Sequence, residues 1–304
     1  MAAQPTIRPY DDAAVADAAA LIRAGGIVAV PTETVYGLAA DATEAAAVAR
    51  IYAAKGRPSF NPLIVHVPDL AAAETIAVFD NAARALAHRW WPGPLTLVLP
   101  LRRAAGIAAL VTAGLDTIAL RVPAHRAMQA LLRASGRPLA APSANASNTI
   151  SPTRAAHVAA SLGARVPLIL DDGPSAAGLE STIVGRGAIL RPGPITAEQL
   201  GLPLAAPGGE ITAPGQLKTH YAPAKPLRLE AVQAAPDEWL IGFGPVVGDD
   251  TLSAAGDPVE AAARLFDALH RADASARAAI AVAPVPERGI GAAINDRLRR
   301  AAHR

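Results

Sequence analysis

Cysteine is absent from this chain of 304 residues. The absence excludes disulfides, thiol nucleophiles, cysteine zinc sites and iron–sulfur clusters. Long apolar runs are missing too, since stretches such as 27–30 and 95–99 fall far short of the roughly 20 residues that span a bilayer. The N-terminus lacks the basic start and continuous apolar segment of a secretory signal. We therefore expect a cytoplasmic protein with no transmembrane helix.

Familiar nucleotide-binding and hydrolase motifs are missing as well. None of the three lysines, Lys55, Lys218 and Lys225, follows a glycine, which excludes a Walker loop. The Gly-x-Gly segments at 242–244 and 289–291 lack the third glycine of a dinucleotide loop. Neither His-Glu-x-x-His nor Gly-x-Ser-x-Gly occurs, so the metalloprotease and esterase classes lose their main support.

The composition is that of a globular protein, with 52% hydrophobic and 18% charged residues. The formal net charge is only +2. Because no overall electrostatic field favours nucleic acid as a partner, any anion site must be local.

Residues 1–205 alternate short β-like runs with alanine-rich helical stretches, a pattern typical of a mixed α/β domain. The break at Gly185–Gly187 predicts a hairpin turn, and therefore an antiparallel component in the sheet. The predicted strands are 27–30, 63–67, 95–99, 118–122, 166–170, 182–184 and 188–191.

A segment rich in proline, glycine and alanine at 206–225 predicts a linker. Residues 226–304 then predict a smaller C-terminal α/β domain with strands at 227–232, 239–243 and 280–283. A helix should begin near Asp257-Pro258 and bury one face. That face is predicted to carry Val259, Ala262, Phe266 and Leu269.

Two cations stand close together where a helix should end. Lys55 and Arg57 precede Pro58, which disfavours helix at the residue before it. Cations placed this way are able to bind phosphate oxygens, and the alternative is an ordinary solvated helix end. The loop that follows leads into the strand at 63–67, and loops at strand ends are where α/β sheets gather ligands.

Two predicted strands place a polar side chain among apolar ones. In 63–67, period-two alternation sets His66 and Ile64 on the face opposite Leu63, Val65 and Val67. His66 is then either a ligand-binding residue or a hydrogen-bonded core histidine.

The strand at 117–122 shows the same alternation. Ile118, Leu120 and Val122 face one way, and Thr117 and Arg121 face the other. Arg121 suits bidentate binding of a carboxylate or phosphate, and a salt bridge at the sheet surface is the alternative.

Small polar residues cluster between 141 and 154. Ser143-Ala144-Asn145 follows a short apolar run, and Ser151-Pro152 predicts an N-cap followed by the first residue of a helix. Because the amides of a helix start also attract phosphate, Ser151 is compatible with both capping and anion binding.

Taken together, these segments resemble the YrdC-like family of L-threonylcarbamoyladenylate synthases, whose hallmark is Lys-x-Arg followed far downstream by Ser-x-Asn. Lys55-Gly56-Arg57 and Ser143-Ala144-Asn145 match it. Further similarity runs through 31–38, 61–67, 120–123, 178–184 and 190–193. The segments 214–223 and 289–300 resemble the longer, two-domain (Sua-type) members.

The resemblance implies a twisted open mixed α/β sheet with a deep cleft for ATP and threonine, followed by a smaller C-terminal α/β, Rossmann-like domain. It also implies that the linker at 206–225 folds over the cleft. By similarity, the residues around threonine are Thr34, His66, Arg121, Ala141 and Ser181. The residues on the nucleotide side are Lys55, Arg57, Asn61, Thr117, Ser143, Asn145, Ser151, Arg191 and Tyr221.

The implied reaction is a nucleotidyl transfer from ATP to threonine that has been carboxylated by bicarbonate or carbon dioxide. Lys55 and Arg57 would be the catalytic cations, because positioning and charge neutralisation dominate such transfers. Magnesium is expected to arrive with ATP and keep several waters, so we predict no carboxylate as a metal ligand. The product, threonylcarbamoyl-AMP, would pass to a complex that transfers the threonylcarbamoyl group to tRNA.

Two other functions stay open. The first is a YrdC-like module that binds RNA without turnover, and direct tRNA contact by this chain is an open question for the same reason. The second is a carbamoyl-transfer enzyme of the hydrogenase-maturation type, although such proteins carry cysteine zinc modules. We interpret Arg297, Arg299, Arg300 and Arg304 as the solvated end of a C-terminal helix and leave them out of the site.

Overall fold

The larger of two sheets is mixed and has ten strands. The structure is a computed structural model that describes residues 5–206 and 220–303, which we call the first and second units. The strands of the first unit are β1 (Thr6–Pro9), β2 (Val28–Val30), β3 (Gly37–Asp41), β4 (Ile64–His66), β5 (Leu95–Pro100), β6 (Thr117–Arg121), β7 (Leu139–Ala140), β8 (Leu168–Asp171), β9 (Thr182–Gly185) and β10 (Ala188–Arg191). Their spatial order is β1-β8-β2-β3-β7-β4-β6-β5-β9-β10.

The predicted strands of the first unit are all present, with ends within two residues of those expected. The hairpin at 185–187 is confirmed, because β9 and β10 pair antiparallel around it. β4 and β6 pair in parallel, so that His66 lies directly beside Arg121. Alternation also holds, because Leu63, Val65 and Val67 enter the large core whereas His66 does not.

Helices cover both faces of the larger sheet. Along β2, Ala29 belongs to one core cluster and Val28 and Val30 to another, as expected for a strand buried on both sides. The helices are α1 (Asp12–Arg23), α2 (Ala45–Lys55), α3 (Leu70–Ile76), α4 (Asn81–Trp90), α5 (Ala109–Thr112), α6 (Arg126–Ser135), α7 (Ala155–Leu162) and α8 (Ala197–Leu200), with a 3₁₀ turn at Gly163–Arg165. α1 and α6 cover one face, and α2, α3, α4 and α7 cover the other.

The second unit contains a parallel sheet of four strands, which confirms a smaller α/β region after the first. Its elements are β11 (Leu227–Arg228), β12 (Glu238–Gly242), β13 (Asp250–Thr251), α9 (Pro258–Ala274), β14 (Ala279–Val282) and α10 (Ile290–Ala302). β11 is shorter than the predicted 227–232, because Glu230 has φ +55° and turns the chain away. The spatial order is β11-β14-β12-β13.

The helix predicted near 257 begins as expected. The Asp257 side chain accepts a hydrogen bond from the Val259 amide, and Pro258 is in the first turn. Ala262, Phe266 and Leu269 are buried, as predicted. Val259 is 63% exposed, so the prediction that it lies on the buried face was wrong. Val259 lies in the first turn beside an open groove at the edge of the contact between the units.

The two units pack closely where α9 meets the loop before β9. A Cβ atom on Gly178 would lie 2.4 Å from the Ala262 carbonyl oxygen, so only glycine fits this approach. Most of the predicted linker, 207–219, lies outside the described residues. Within the described ranges, no helix combines the length and apolar character needed to cross a membrane.

Candidate active site

One cleft gathers polar residues from distant parts of the chain. It encloses about 570 Å³ between its atoms, part of it open to solvent. All five residues predicted to surround threonine line it, and we call them the threonine side. Four of the predicted nucleotide residues also line it, and we call them the nucleotide side. The threonine side is Thr34, His66, Arg121, Ala141 and Ser181, and the nucleotide side is Arg57, Ser143, Arg191 and Tyr221.

Arg121 is held in place by groups on three sides. Its Nη1 donates to Thr34 Oγ1 at 2.8 Å, and its Nε donates to the Gly93 carbonyl at 3.2 Å. Its Nη2 lies 2.7 Å from Glu33 Oε1 as an ion pair. A salt bridge at the sheet surface is excluded, because Arg121 is only 3% exposed. Because a guanidinium carries about five N–H donors, these three contacts leave donors for a ligand.

His66 is neutral and incompletely hydrogen-bonded. Burial, together with the nearby Arg121 charge, lowers its pKa to about 3. Its Nδ1 is buried without a hydrogen-bond partner. His66 is therefore not a fully hydrogen-bonded core histidine. Its free Nδ1 is suited to binding a ligand in the cleft.

The helix end at Lys55 and Arg57 is buried, so the interpretation as a solvated end was wrong. α2 stops at Lys55 because Gly56 takes a left-handed conformation with φ +60°. Arg57 lines the cleft and donates to the carbonyls of Asn61 at 3.3 Å and Pro62 at 3.0 Å. Burial lowers its pKa to about 10, which leaves it charged at neutral pH.

Lys55 lies behind the wall of the cleft and does not line it. Its Nζ donates to the carbonyl oxygens of Ser143 and Asn145 and reaches Asn145 Oδ1 at 3.4 Å. Because three oxygens already surround the ammonium group, Lys55 fixes the loop at 143–145 that forms one wall. Burial lowers its pKa well below the ordinary value.

The remaining predicted nucleotide residues also lie outside the lining. Asn61, Asn145 and Ser151 are buried, and Thr117 is half-buried at the start of β6. Asn145 Nδ2 donates to the Thr149 carbonyl at 2.8 Å, and Asn61 Oδ1 lacks a partner.

Ser151 is not a helix cap, contrary to the sequence-based prediction. α7 begins four residues later at Ala155, with Arg154 at the cap position. The Ser151 hydroxyl instead donates to a carboxylate oxygen of Glu180. Because a hydrogen bond to a residue distant in sequence holds Ser151, the capping pattern alone was misleading.

The ionisable residues of the site that sequence reasoning missed include Glu180, His220 and Arg297. Glu180 and His220 line the cleft, and Arg297 lies directly behind Glu180. The interpretation of Arg297 as a solvated helix end was wrong, because it is 0% exposed. The helical spacing of α10 indicates this burial, since Arg297 comes three residues after buried Ile294 and next to buried Leu298.

Comparisons with known proteins agree with this architecture. Residues 20–193 match the family described as Telomere recombination (Sua5, YciO and YrdC). Residues 195–303 match the family described as Threonylcarbamoyl-AMP synthase, C-terminal domain. The threonylcarbamoyl-AMP synthase of Bacillus subtilis is 42% identical, over 96% of this chain and 94% of its own length.

Solved structures give the same picture. Sua5 of Pyrococcus abyssi complexed with L-threonine is 35% identical, with a TM-score of 0.88 over 99% of this chain and 98% of that one. Full-length HypF, in a phosphate- and nucleotide-bound form, is 20% identical with a TM-score of 0.51 and shows only a shared fold over 60% of this chain and 30% of HypF. The resemblance predicted from the sequence is confirmed. The chain therefore belongs to the Sua5–YciO–YrdC family and carries the C-terminal domain of its threonylcarbamoyl-AMP synthases.

Proposed function

We propose that this chain makes threonylcarbamoyl-AMP from L-threonine, bicarbonate or carbon dioxide, and ATP, releasing diphosphate and water. The observation that carries the proposal is the convergence of the threonine side and the nucleotide side in one cleft. Full-length similarity to the Bacillus subtilis synthase supports it. The product would supply a complex that modifies tRNA, and the cytoplasmic location expected from the sequence belongs to the same proposal.

Threonine would bind through its carboxylate to Arg121. The guanidinium is buried, and Thr34, Gly93 and the ion pair with Glu33 already orient it. Charge-assisted hydrogen bonds to a carboxylate are among the stronger polar interactions. The neutral His66 supplies a further polar contact close by without adding charge.

The chemical step needs an oriented nucleophile more than a base. Threonine carbamate is an anion, and one of its oxygens attacks the α-phosphorus in line while the bond to the β-phosphate oxygen breaks. Diphosphate leaves with the electron pair, so no proton has to move in this step. Arg57 and Arg191 offset the charge that develops on the phosphates, and fixed cations in a buried site do this effectively.

Lys55 contributes differently from the expectation of direct phosphate contact. Its ammonium group is occupied by the oxygens of Ser143 and Asn145. We propose that Lys55 supports the cleft wall at Ser143, a residue that lines the cleft.

Magnesium belongs to the proposal as the ion that accompanies ATP. Within the described ranges, no group of three or more histidine, aspartate or glutamate residues is arranged to hold a metal. Mg²⁺ that arrives with ATP usually keeps several waters, and we assign its ligands to phosphate oxygens and water. No step of the mechanism above passes through the ion.

Diphosphate release from ATP by the purified protein tests the proposal, with threonine and bicarbonate omitted in turn. Release that requires both would establish carbamate adenylation. No release from the complete mixture, combined with salt-sensitive RNA binding, would replace the proposal with the RNA-binding alternative.

A further inference from the structure

A buried arginine of the second unit reaches the wall of the cleft. Arg297, on α10, is 0% exposed, and its Nε donates to Glu180 Oε2 at 2.8 Å. Its Nη2 donates to the Pro192 carbonyl at 3.0 Å, and its Nη1 donates to Asp296 at 2.7 Å. Every nitrogen of the guanidinium therefore has a partner, and two of the three partners belong to the first unit.

The same guanidinium supports the aromatic residue at the nucleotide side. Its central carbon lies 5.1 Å from the centre of the Tyr221 ring, within cation–π range. The other neighbours of this ring are Phe266 of α9 at 5.6 Å and His220 at 4.0 Å between centres. The Tyr221 hydroxyl is buried without a hydrogen-bond partner, although the residue lines the cleft.

Glu180 is an anion in a cleft wall that would face the phosphates of ATP. Burial alone would raise the pKa of Glu180, but the charges of Arg297 and Arg191 and a hydrogen bond from Ser151 lower it below its ordinary value. The carboxylate is thus ionised, and two arginines compete for it. In the structure Arg297 holds it, whereas Arg191 directs its Nε and Nη2 to the Ser181 carbonyl.

Removing the Arg297 charge would change this balance. A buried carboxylate without its partner is strongly unfavourable, and Arg191 is another cation in the same cleft lining, bonded to the neighbouring residue Ser181. If Arg191 turned to Glu180, the nucleotide side would lose one of the two cations assigned to the phosphates and keep an added negative charge.

We propose that Arg297 is a positioning residue for ATP binding, which keeps Glu180 paired so that Arg191 stays available to the phosphates. The proposal deepens the function proposed above and rests on it. It gives the second unit a defined part in the site, because its main effect reaches the nucleotide side through Arg191.

The variant Arg297→Gln tests this, since glutamine keeps a polar side chain but removes the charge. We expect the Kd for a non-hydrolysable ATP analogue, measured by calorimetry, to rise on the order of tenfold. The Kd for threonine should change much less, because Arg121, its proposed carboxylate partner, is untouched and only the contact of Arg191 with Ser181 is lost. The double variant Glu180→Gln with Arg297→Gln removes both charges, and it should recover most of the analogue affinity.

The matched control is Arg299→Ala on the same helix, whose exposed side chain pairs with exposed Glu287. It should leave both dissociation constants unchanged. Equal losses of analogue and threonine affinity in Arg297→Gln would overturn the proposal, as would a double variant no better than the single one. Because calorimetry does not depend on turnover, a wild-type protein that binds the analogue but releases no diphosphate would refute the proposed function alone.

A second comparison covers the case in which Arg297→Gln does not fold. Arg297→Lys keeps the charge, and the double glutamine variant neutralises the pair, so both leave Arg191 available. Both should bind the analogue within about threefold of the wild type. Much weaker binding by the neutral pair in a folded protein would overturn the proposal.

Discussion

The threonine side lies wholly within the first unit, whereas the nucleotide side is completed by Tyr221 of the second unit and supported by Arg297. Their charges differ as well. On the threonine side Arg121 faces Glu33 and a neutral histidine, a nearly balanced set that suits a zwitterionic amino acid. The nucleotide side carries two arginines, Arg57 and Arg191, and the carboxylate beside it is Glu180. The net charge is therefore positive, which suits a polyanion. On the proposed assignment, threonine binding would use the first unit alone and ATP binding would use both units.

The largest effect is expected from Arg121→Ala, which tests whether the threonine side acts separately from the nucleotide side. The change removes the proposed partner of the threonine carboxylate and leaves Glu33, which is largely buried, without its ion-pair partner. We expect kcat/KM for threonine to fall by an amount worth about 3 kcal/mol, with a much smaller change in ATP affinity. Steady-state diphosphate release at varied threonine and at varied ATP measures both.

Arg84→Ala is the control for Arg121→Ala, since Arg84 pairs with Glu74 at an exposed position. It should behave like the wild type. An unchanged threonine dependence in Arg121→Ala would show that the carboxylate binds elsewhere.

The next effect in size is expected from Arg57→Ala, which tests the nucleotide side. Its guanidinium lines the cleft and also fixes the carbonyls of Asn61 and Pro62. Loss of this cation should reduce kcat/KM for ATP by about 2 kcal/mol, because hydrogen bonds to charged groups contribute about that much. Calorimetric titration with threonine alone should give a Kd near that of the wild type. A loss shared equally between the two substrates would mean that the sides are not separate.

Strand alternation marked two residues of the threonine side, His66 and Arg121, whereas Thr34, Ala141 and Ser181 were predicted only from the resemblance to the family. His66 and Arg121 lie next to each other on β4 and β6, and the period of two already set both apart from the core. Local patterns failed where a distant charge decided the structure. Ser151 matched a helix cap but bonds Glu180, and Arg297 matched a solvated helix end but crosses to the first unit. Neither local pattern reveals the distant residue that Ser151 or Arg297 contacts. Tyr221 was predicted only from the resemblance to the family.

Acid sensitivity offers a smaller test, which concerns the neutral state of His66. Its folded pKa of about 3 lies below the ordinary value of 6.5, so on acidification the unfolded chain takes up the proton first. This histidine therefore contributes stability above pH 6.5 that is lost as the pH falls toward 3, at about 1.4 kcal/mol per pH unit. Urea unfolding at several pH values should give a shallower acid loss in His66→Gln than in the wild type. Equal slopes would show that the pKa of His66 is not lowered in the folded protein.

The smallest expected effect concerns how the threonine side distinguishes threonine from serine. Its polar groups treat the two amino acids alike, so selection has to come from burying one methyl group against apolar lining such as Val35 and Ile64. A buried methyl contributes about 1 kcal/mol, which corresponds to about a fivefold preference in kcat/KM. Diphosphate release with serine in place of threonine measures the ratio, and the ATP KM should be the same with either amino acid. If the preference far exceeded this value, serine would have to leave a buried polar group unpaired, and the apolar account of selectivity would be wrong.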